Sequence, residues 1–348
     1  MAAPVVTYSA VAAKLRAMYG GLLALEDYAL LMNKQRVDDV FSWLIENSAY
    51  SKILSSINGN TVHRGQMERM FNQALFRDAS GISSMLPKND KRMLEAVLMK
   101  RDIQTVKRVI RSIHTGISLN FSTADIFSDQ EAAVLQSRTY GELAVSLQNT
   151  PLHKVIRPFL TDNAASPFAA ENALDQYYFT MLMKSTDRYL RGQARKTTKA
   201  VLAEEADIRN LLRSYRYRRY YACSGEQMLA RLVPNRYQLN PGFWKELADS
   251  DSKDFRRLVM QTKYKKIFVS QDDADWYREA SQTMADQFKK HFREQPYTFT
   301  AVLAYLFFQK TDIQNVIAII EGVRYSLEPR DIRRYLITVK TKGSTREV

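Results

Sequence analysis

The chain has 348 residues, of which 45% are hydrophobic and 25% are charged, a composition typical of a folded protein with a sizeable core. It has only 12 glycines and 9 prolines, which are residues that tight turns need, so long helices are favoured over a sheet. The formal net charge of +14 favours an acidic partner, a nucleic acid or an anionic membrane surface, without choosing among them. The single cysteine, Cys223, excludes a disulfide within the chain.

The apolar segments are too short to predict a membrane span. The N-terminal residues lack the basic region of a signal peptide, so we expect no cleaved leader. The most apolar run, 301–308, is far shorter than the ~20 residues that cross a bilayer. The sequence therefore predicts a protein that is soluble or that lies on a membrane through surface contacts.

A ten-residue pattern occurs three times at an interval of 105 residues, as RDIQTVKRVI, ADIRNLLRSY and TDIQNVIAII. The second residue of each copy is an aspartate: Asp102, Asp207 and Asp312. Apolar residues at i, i+3, i+4 and i+7 predict one buried helix face in the second and third copies. In the first copy, Lys107 interrupts this face.

The three aspartates are interpreted as structural residues rather than catalytic acids. A carboxylate near the start of a helix interacts favourably with the helix dipole, so we expect these aspartates at or near helix starts. Another apolar helical segment precedes each copy, which predicts a helical hairpin or bent helix pair within a larger repeat. The predicted internal repeats are approximately 1–116, 117–221 and 222–348. Fainter matches near both ends of the chain predict that its first and last segments meet.

The sequence contains no pattern that favours an enzyme. There is no glycine-rich phosphate loop, and the four histidines are far apart without a metal-binding spacing. We therefore expect no catalytic residue, no cofactor and no metal site.

The strongest charge feature is the run RSYRYRRYY at 213–221, in which four arginines alternate with four tyrosines. On a helix, Arg213, Arg216, Arg219 and Tyr220 are predicted to share one face. Arginine and tyrosine together can stack on bases and pair with phosphates, and both are also favoured at protein interfaces. We favour an acidic protein partner, and keep a basic all-helical nucleic-acid-binding protein as the alternative.

Longer stretches of the chain resemble the C subunit of the bacterial and archaeal V-type (A/V-type) ATPases, the counterpart of the d subunit of the eukaryotic V-ATPase. These stretches are AKLRAMYGGLLALEDYALLM from Ala13, VDDVFSWLIENSAYSKIL from Val37 and ENALDQYYFTML from Glu171. With the three aspartate-led helices, their order and spacing cover nearly the whole chain. The first repeat departs from the family pattern, because Thr105 stands where the other two copies have Asn210 and Asn315.

The resemblance implies an all-α fold in which three similar helical subdomains surround a pseudo-threefold axis and form a funnel or socket. It also implies a non-catalytic central-stalk protein, present once per complex on the cytoplasmic face of the membrane. Such a protein would link an axle made of the D and F subunits to the membrane rotor ring and transmit torque for ion transport. We expect the axle to contact Arg213, Arg216, Arg219 and Tyr220, and other basic residues to meet anionic lipid headgroups. Nucleic acid is not an expected partner under this interpretation.

Overall fold

The structure is a computed structural model that describes residues 4–55, 64–119, 128–160, 166–221, 223–234 and 239–340. Within these ranges the chain forms helices, turns and extended connections and no β-strand, so the predicted all-α class is confirmed. The α-helices are α1 (Pro4–Gly20), α2 (Leu25–Met32), α3 (Val37–Asn47), α4 (Ser51–Leu54), α5 (Arg64–Ser83), α6 (Lys88–Thr115), α7 (Asp129–Gln136), α8 (Tyr140–Ser146), α9 (Pro151–Ile156), α10 (Pro167–Tyr189), α11 (Gly192–Tyr221), α12 (Gly225–Arg231), α13 (Pro241–Asp249), α14 (Ser252–Val259), α15 (Asp273–Glu294), α16 (Phe299–Arg324) and α17 (Pro329–Arg333). Two 3-10 helices are Arg157–Phe159 and Lys265–Phe268.

The helices follow the same order three times along the chain. Among the described residues, each of the series α2–α6, α7–α11 and α12–α16 has three short α-helices and then two long ones. The last helices of the three series, α6, α11 and α16, have 28, 30 and 26 residues. This order is what internal repeats would produce, whereas the repeat boundaries and the pseudo-threefold axis stay predictions.

The repeated aspartates lie near the middle of the long helices, so their predicted position at helix starts was wrong. Asp102, Asp207 and Asp312 are each more than ten residues from the first residue of α6, α11 and α16. The apolar segment before each aspartate continues into the repeated pattern as one helix, and the predicted hairpin or bent pair was also wrong. The reason is local, because neither proline nor glycine separates the two segments in any copy.

The described contacts divide the chain into two compact units, one of residues 1–87 with 263–348 and the other of residues 88–262. In the first unit, α16 packs against α1, α2, α3, α5 and α15. Most residues of α16 are buried on every side of the helix, as expected for a helix at the centre of a core. In the second unit, α10 packs along both α6 and α11.

The first and last described segments meet within the first unit, which confirms that prediction. The Tyr19 hydroxyl donates a hydrogen bond of 2.9 Å to the carbonyl oxygen of Val339. The backbone N–H of Leu25 donates to the carbonyl oxygen of Lys340 at 3.0 Å. The Lys340 ammonium group in turn donates to the carbonyl oxygens of Gly20 and Leu22. The extended segment after α17 is thereby fixed against the connection between α1 and α2.

Candidate partner-binding site at the end of α11

The basic and aromatic run occupies the last turns of α11. It contains neither glycine nor proline, so the helix continues through it to Tyr221. Basic residues at this end also interact favourably with the negative end of the helix dipole. The structure separates the run into residues that bind within the protein and residues that are exposed.

Arg213 belongs to the first group. Its guanidinium group contacts the carboxylate of Asp175 on α10, and the ammonium group of Lys107 on α6 lies 2.6 Å from the same carboxylate. The side chain of Arg213 is only 19% exposed. Burial alone would raise the pKa of Asp175, but the charges of Arg213 and Lys107 outweigh burial and hold this pKa below its ordinary value. Asp175 therefore joins three helices, and Lys107 interrupts the apolar pattern of α6 because it takes part in this contact.

Arg216, Arg219 and Tyr220 belong to the second group, and all three are exposed. Tyr220 is 63% exposed, which is high for a large aromatic side chain. The structure thus leaves three of the four predicted axle contacts accessible and places the fourth, Arg213, in an internal ion pair. Their role in binding a partner stays a prediction.

A cavity of about 290 Å³ lies beside the exposed residues and is lined by Tyr215, Arg218, Arg219, Asp251 and Phe255. Arg218 is held in place because its guanidinium group donates a hydrogen bond to the carbonyl oxygen of Ala248. Two guanidinium groups beside aromatic rings form a suitable environment for a carboxylate side chain. Asp251 reduces the positive charge of the cavity without cancelling it.

Tyr217 and Tyr221 of the run pack against other side chains of the protein. Tyr217 is buried and donates a hydrogen bond of 3.1 Å to the side chain of Asn172. Tyr221 stacks on Phe168 with ring centroids 5.0 Å apart. Stacking on bases requires accessible ring faces, which this packing removes at Tyr217 but leaves at Tyr220.

In the first unit, Asp312 is completely buried and accepts three hydrogen bonds. The donors are the hydroxyl groups of Tyr28 and Tyr50 and the backbone N–H of Leu23. Burial raises the pKa of Asp312 to about 6, although these hydrogen bonds act in the opposite direction. The carboxylate joins α16 to the N-terminal helices, a geometry that supports the structural role predicted for it.

The other two repeated aspartates have different surroundings. Asp207 is also completely buried, within α11. The side chain of Asp102 is 54% exposed and lies 3.2 Å from the guanidinium group of Arg101. The same position in the repeat is therefore buried in two copies and partly exposed in the first.

Two asparagines make matching contacts that the sequence analysis did not assign. The side-chain amide of Asn210 donates a hydrogen bond of 2.9 Å to the carbonyl oxygen of Val233 and accepts one of 2.8 Å from the N–H of Val233. Asn315 forms the same pair with Ile337, at 2.8 and 3.0 Å. The signal was the asparagine three residues after the aspartate in the second and third copies. Each amide satisfies two backbone groups of a downstream extended segment.

Among the described residues, no group of three histidine, cysteine, aspartate or glutamate side chains is placed to hold a metal ion. None of the helices in the described ranges is both long enough and apolar enough to cross a membrane.

These features define an all-α protein whose buried polar groups join helices and whose basic residues are exposed at a helix end. A family model described as ATP synthase (C/AC39) subunit matches residues 11–335. The chain therefore belongs to this family, and the resemblance inferred from the sequence is confirmed.

Individual relatives cover nearly the same length. The chain is 21% identical to the C subunit of the A-type ATP synthase of Methanosarcina mazei, over 95% of this chain and 93% of the relative. It is also 21% identical to the protein of the same name from Methanosarcina barkeri, over 94% of this chain and 91% of the relative. The protein of that name from Methanocaldococcus jannaschii is 19% identical, over 85% of this chain and 78% of the relative.

Proposed function

We propose that the protein is a non-catalytic central-stalk component of a rotary V-type ATPase. In this proposal it links an axle made of the D and F subunits to the membrane rotor ring and transmits torque for ion transport. Membership of the ATP synthase (C/AC39) subunit family supports a role in such a complex. The observation that carries the binding role is the exposure of Arg216, Arg219 and Tyr220 at the end of a helix whose central residues are mostly buried.

Torque transmission requires a stiff protein, and the described contacts support this requirement. Buried polar contacts join the long helices α11 and α16 to downstream extended segments, through the paired hydrogen bonds of Asn210 and Asn315. Satisfied buried hydrogen bonds and close packing fix one arrangement of the helices more firmly than flexible connections would. We propose that Arg213 contributes here through Asp175, as a residue that positions α11 against α10 and α6.

We propose that the axle presents acidic residues to the exposed end of α11. Arg216 and Arg219 would pair with carboxylates, one of which would enter the cavity beside Arg219, and Tyr220 would supply apolar contact area. The protein would lie on the cytoplasmic face of the membrane, one copy per complex, where its net charge of +14 favours contact with anionic headgroups. No cofactor is needed for this function.

A binding titration of the purified chain against a co-expressed D–F complex, at low and high salt, tests the proposal. We expect saturable binding with one copy of each partner, weakened at high salt because charged groups contribute. Absence of binding at both salt concentrations would contradict the contact with the axle. An oligonucleotide column at physiological salt provides the second measurement, since strong retention there would favour the nucleic-acid alternative.

A further inference from the structure

A second basic surface lies in the unit of residues 1–87 and 263–348. A cavity of about 390 Å³ there is lined by four arginines, one on α15 and three on or directly after α17. These residues are Arg278, Arg330, Arg333 and Arg334. None of them belongs to the repeated pattern or to the basic run at 213–221.

Two of these guanidinium groups have no anionic partner among the residues that the structure describes. Arg330 and Arg333 are exposed and form neither an ion pair nor a side-chain hydrogen bond with any described residue. Arg278 contacts the carboxylate of its neighbour Glu279. Arg334 lies 3.6 Å from Asp272 and 3.7 Å from Asp275, at the weak end of the range for an ion pair. The cavity is therefore positively charged, with donors available at its edge.

Residues other than the arginines hold the wall of this cavity. The side-chain amide of Gln282 donates a hydrogen bond of 3.2 Å to the carbonyl oxygen of Thr338 and accepts one of 2.9 Å from the N–H of Thr338. The ammonium group of Lys289 also donates to that carbonyl oxygen, at 2.7 Å. Ile332 of α17 is buried and anchors the short helix. The hydrogen bonds that hold this wall thus do not involve the side chains of Arg330 and Arg333.

The segment after α11 forms the corresponding short helix, α12, without arginines at the matching positions. Val233 and Ile337 are equivalent positions, because each is hydrogen-bonded by the matching asparagine. When the two segments are aligned on these residues, Met228 of α12 is equivalent to Ile332 of α17, and both are buried. Arg330, Arg333 and Arg334 then correspond to Glu226, Leu229 and Ala230. Because α12 occupies this position without a basic residue there, packing does not require the three arginines.

We propose that this cavity binds a phosphate-bearing anion, supplied either by a lipid headgroup or by a free phosphate compound. A guanidinium group donates two parallel hydrogen bonds to phosphate oxygens, and several such groups around one cavity match an anion with several acceptor oxygens. The cavity volume lies within the ~300–1,000 Å³ of small-molecule sites. The proposal does not rest on the function proposed above, because binding here requires neither an axle nor a rotor ring.

The test uses the full chain and two probes. Isothermal titration with inorganic pyrophosphate measures binding of a free phosphate compound, and flotation with phosphatidylcholine vesicles, with or without phosphatidic acid, measures headgroup binding. The variant is R330A/R333A, and R195A/K196A is the control because it removes the same charge from exposed residues of α11. Circular dichroism melting confirms that both variants fold.

We expect saturable binding of at least one probe, weakened roughly tenfold or more in R330A/R333A and retained in the control. If R330A/R333A binds pyrophosphate more weakly, the result supports the site with a free phosphate as its ligand. If it binds phosphatidic acid vesicles more weakly, the result supports the site with a lipid headgroup as its ligand. Binding of neither probe would overturn the proposal. Equal losses in the two variants, or unchanged binding in R330A/R333A, would also overturn it, because the interaction would then lie elsewhere or depend only on net charge.

Discussion

The hydroxyl group of Tyr28 donates a hydrogen bond to Asp312, although 284 residues separate the two in sequence. The Tyr50 hydroxyl donates to the other carboxylate oxygen at 2.5 Å, and all three side chains are buried. The third repeated aspartate therefore fixes the N-terminal helices against α16. The hydrogen-bond donors around this carboxylate are uncharged, and the cation that lowers its pKa is Lys340.

This arrangement predicts that Asp312 makes stability depend on pH. Burial raises the pKa of Asp312 from 3.8 to about 6, so the folded protein keeps a proton that the unfolded chain has already lost. Its contribution to the free energy of unfolding is greatest below about pH 4 and falls as the pH rises to about 6. The D312N variant cannot ionise, so the stability of the wild type relative to D312N should fall by roughly 2–3 kcal/mol between these values. Urea unfolding across this pH range measures the difference.

The control for D312N is D102N, at the equivalent position of the first repeat. The side chain of Asp102 is 54% exposed, so its substitution should lower the free energy of unfolding by no more than about 1 kcal/mol. If D312N and the wild type lost stability in parallel as the pH rose, the raised pKa of Asp312 would be wrong.

Asp175 predicts the opposite dependence on pH. Burial opposes its ionisation, but Arg213 and Lys107 hold its pKa below the ordinary value. Its stabilising contribution is therefore present above about pH 4 and is lost as the pH falls further. The D175N variant leaves two largely buried cations without a counter-charge, so we expect a loss of about 3–5 kcal/mol at neutral pH. The loss should shrink in acid, as measured by urea unfolding.

Two further variants separate this ion pair from a general effect of charge. K107M in the D175N background should restore part of the stability, because it removes one of the unpaired cations. D187N breaks an exposed pair with Lys199 and should cost no more than about 1 kcal/mol. Equal effects of D175N and D187N would show that Arg213 and Lys107 do not depend on Asp175.

The matching contacts of Asn210 and Asn315 predict local effects on hydrogen exchange. N315A removes the hydrogen-bond partners of the N–H and the carbonyl oxygen of Ile337. The free energy of unfolding should therefore fall by about 2–4 kcal/mol, and hydrogen exchange at the Ile337 amide should become faster. N210A should do the same at Val233. Each variant is the control for the other, since exchange should increase only at the segment that has lost its own asparagine. Increased exchange at both segments in either variant would indicate general loosening instead.

The sequence was sufficient for features that depend on local patterns. Apolar spacing and the shortage of glycine and proline predicted the all-α class, and the faint matches at the ends predicted that the ends meet. The position of Asp312 was predicted wrongly, because aspartate favours helix starts in isolation, whereas here its partners come from residues far away in sequence. Tyr28 and Tyr50 both lie in stretches that supported the family resemblance, but no periodicity shows that they reach Asp312.

The basic run at 213–221 shows a similar limit of prediction from the sequence. Helical spacing predicts that the side chains at 213, 216, 219 and 220 share one face of α11. Whether each is exposed depends on what packs against that turn, and Asp175 of α10 covers Arg213 while Arg216 stays accessible. The arginines around the cavity at α17 were missed because Arg278 is distant in sequence from the other three, and no periodicity shows that all four line one cavity.

The division of the basic run predicts that its arginines respond differently to charge reversal. R216E/R219E should weaken binding of the D–F complex roughly tenfold or more at low salt, with an unchanged melting temperature, since both residues are exposed. R213E should instead lower the free energy of unfolding by about 3–5 kcal/mol, because it places a second carboxylate beside Asp175. R195E/K196E reverses the same charge as R216E/R219E elsewhere on α11 and should leave binding nearly intact. Binding titrations with parallel melts distinguish the three variants, and equal weakening by R195E/K196E would mean that net charge, rather than the end of α11, governs the interaction.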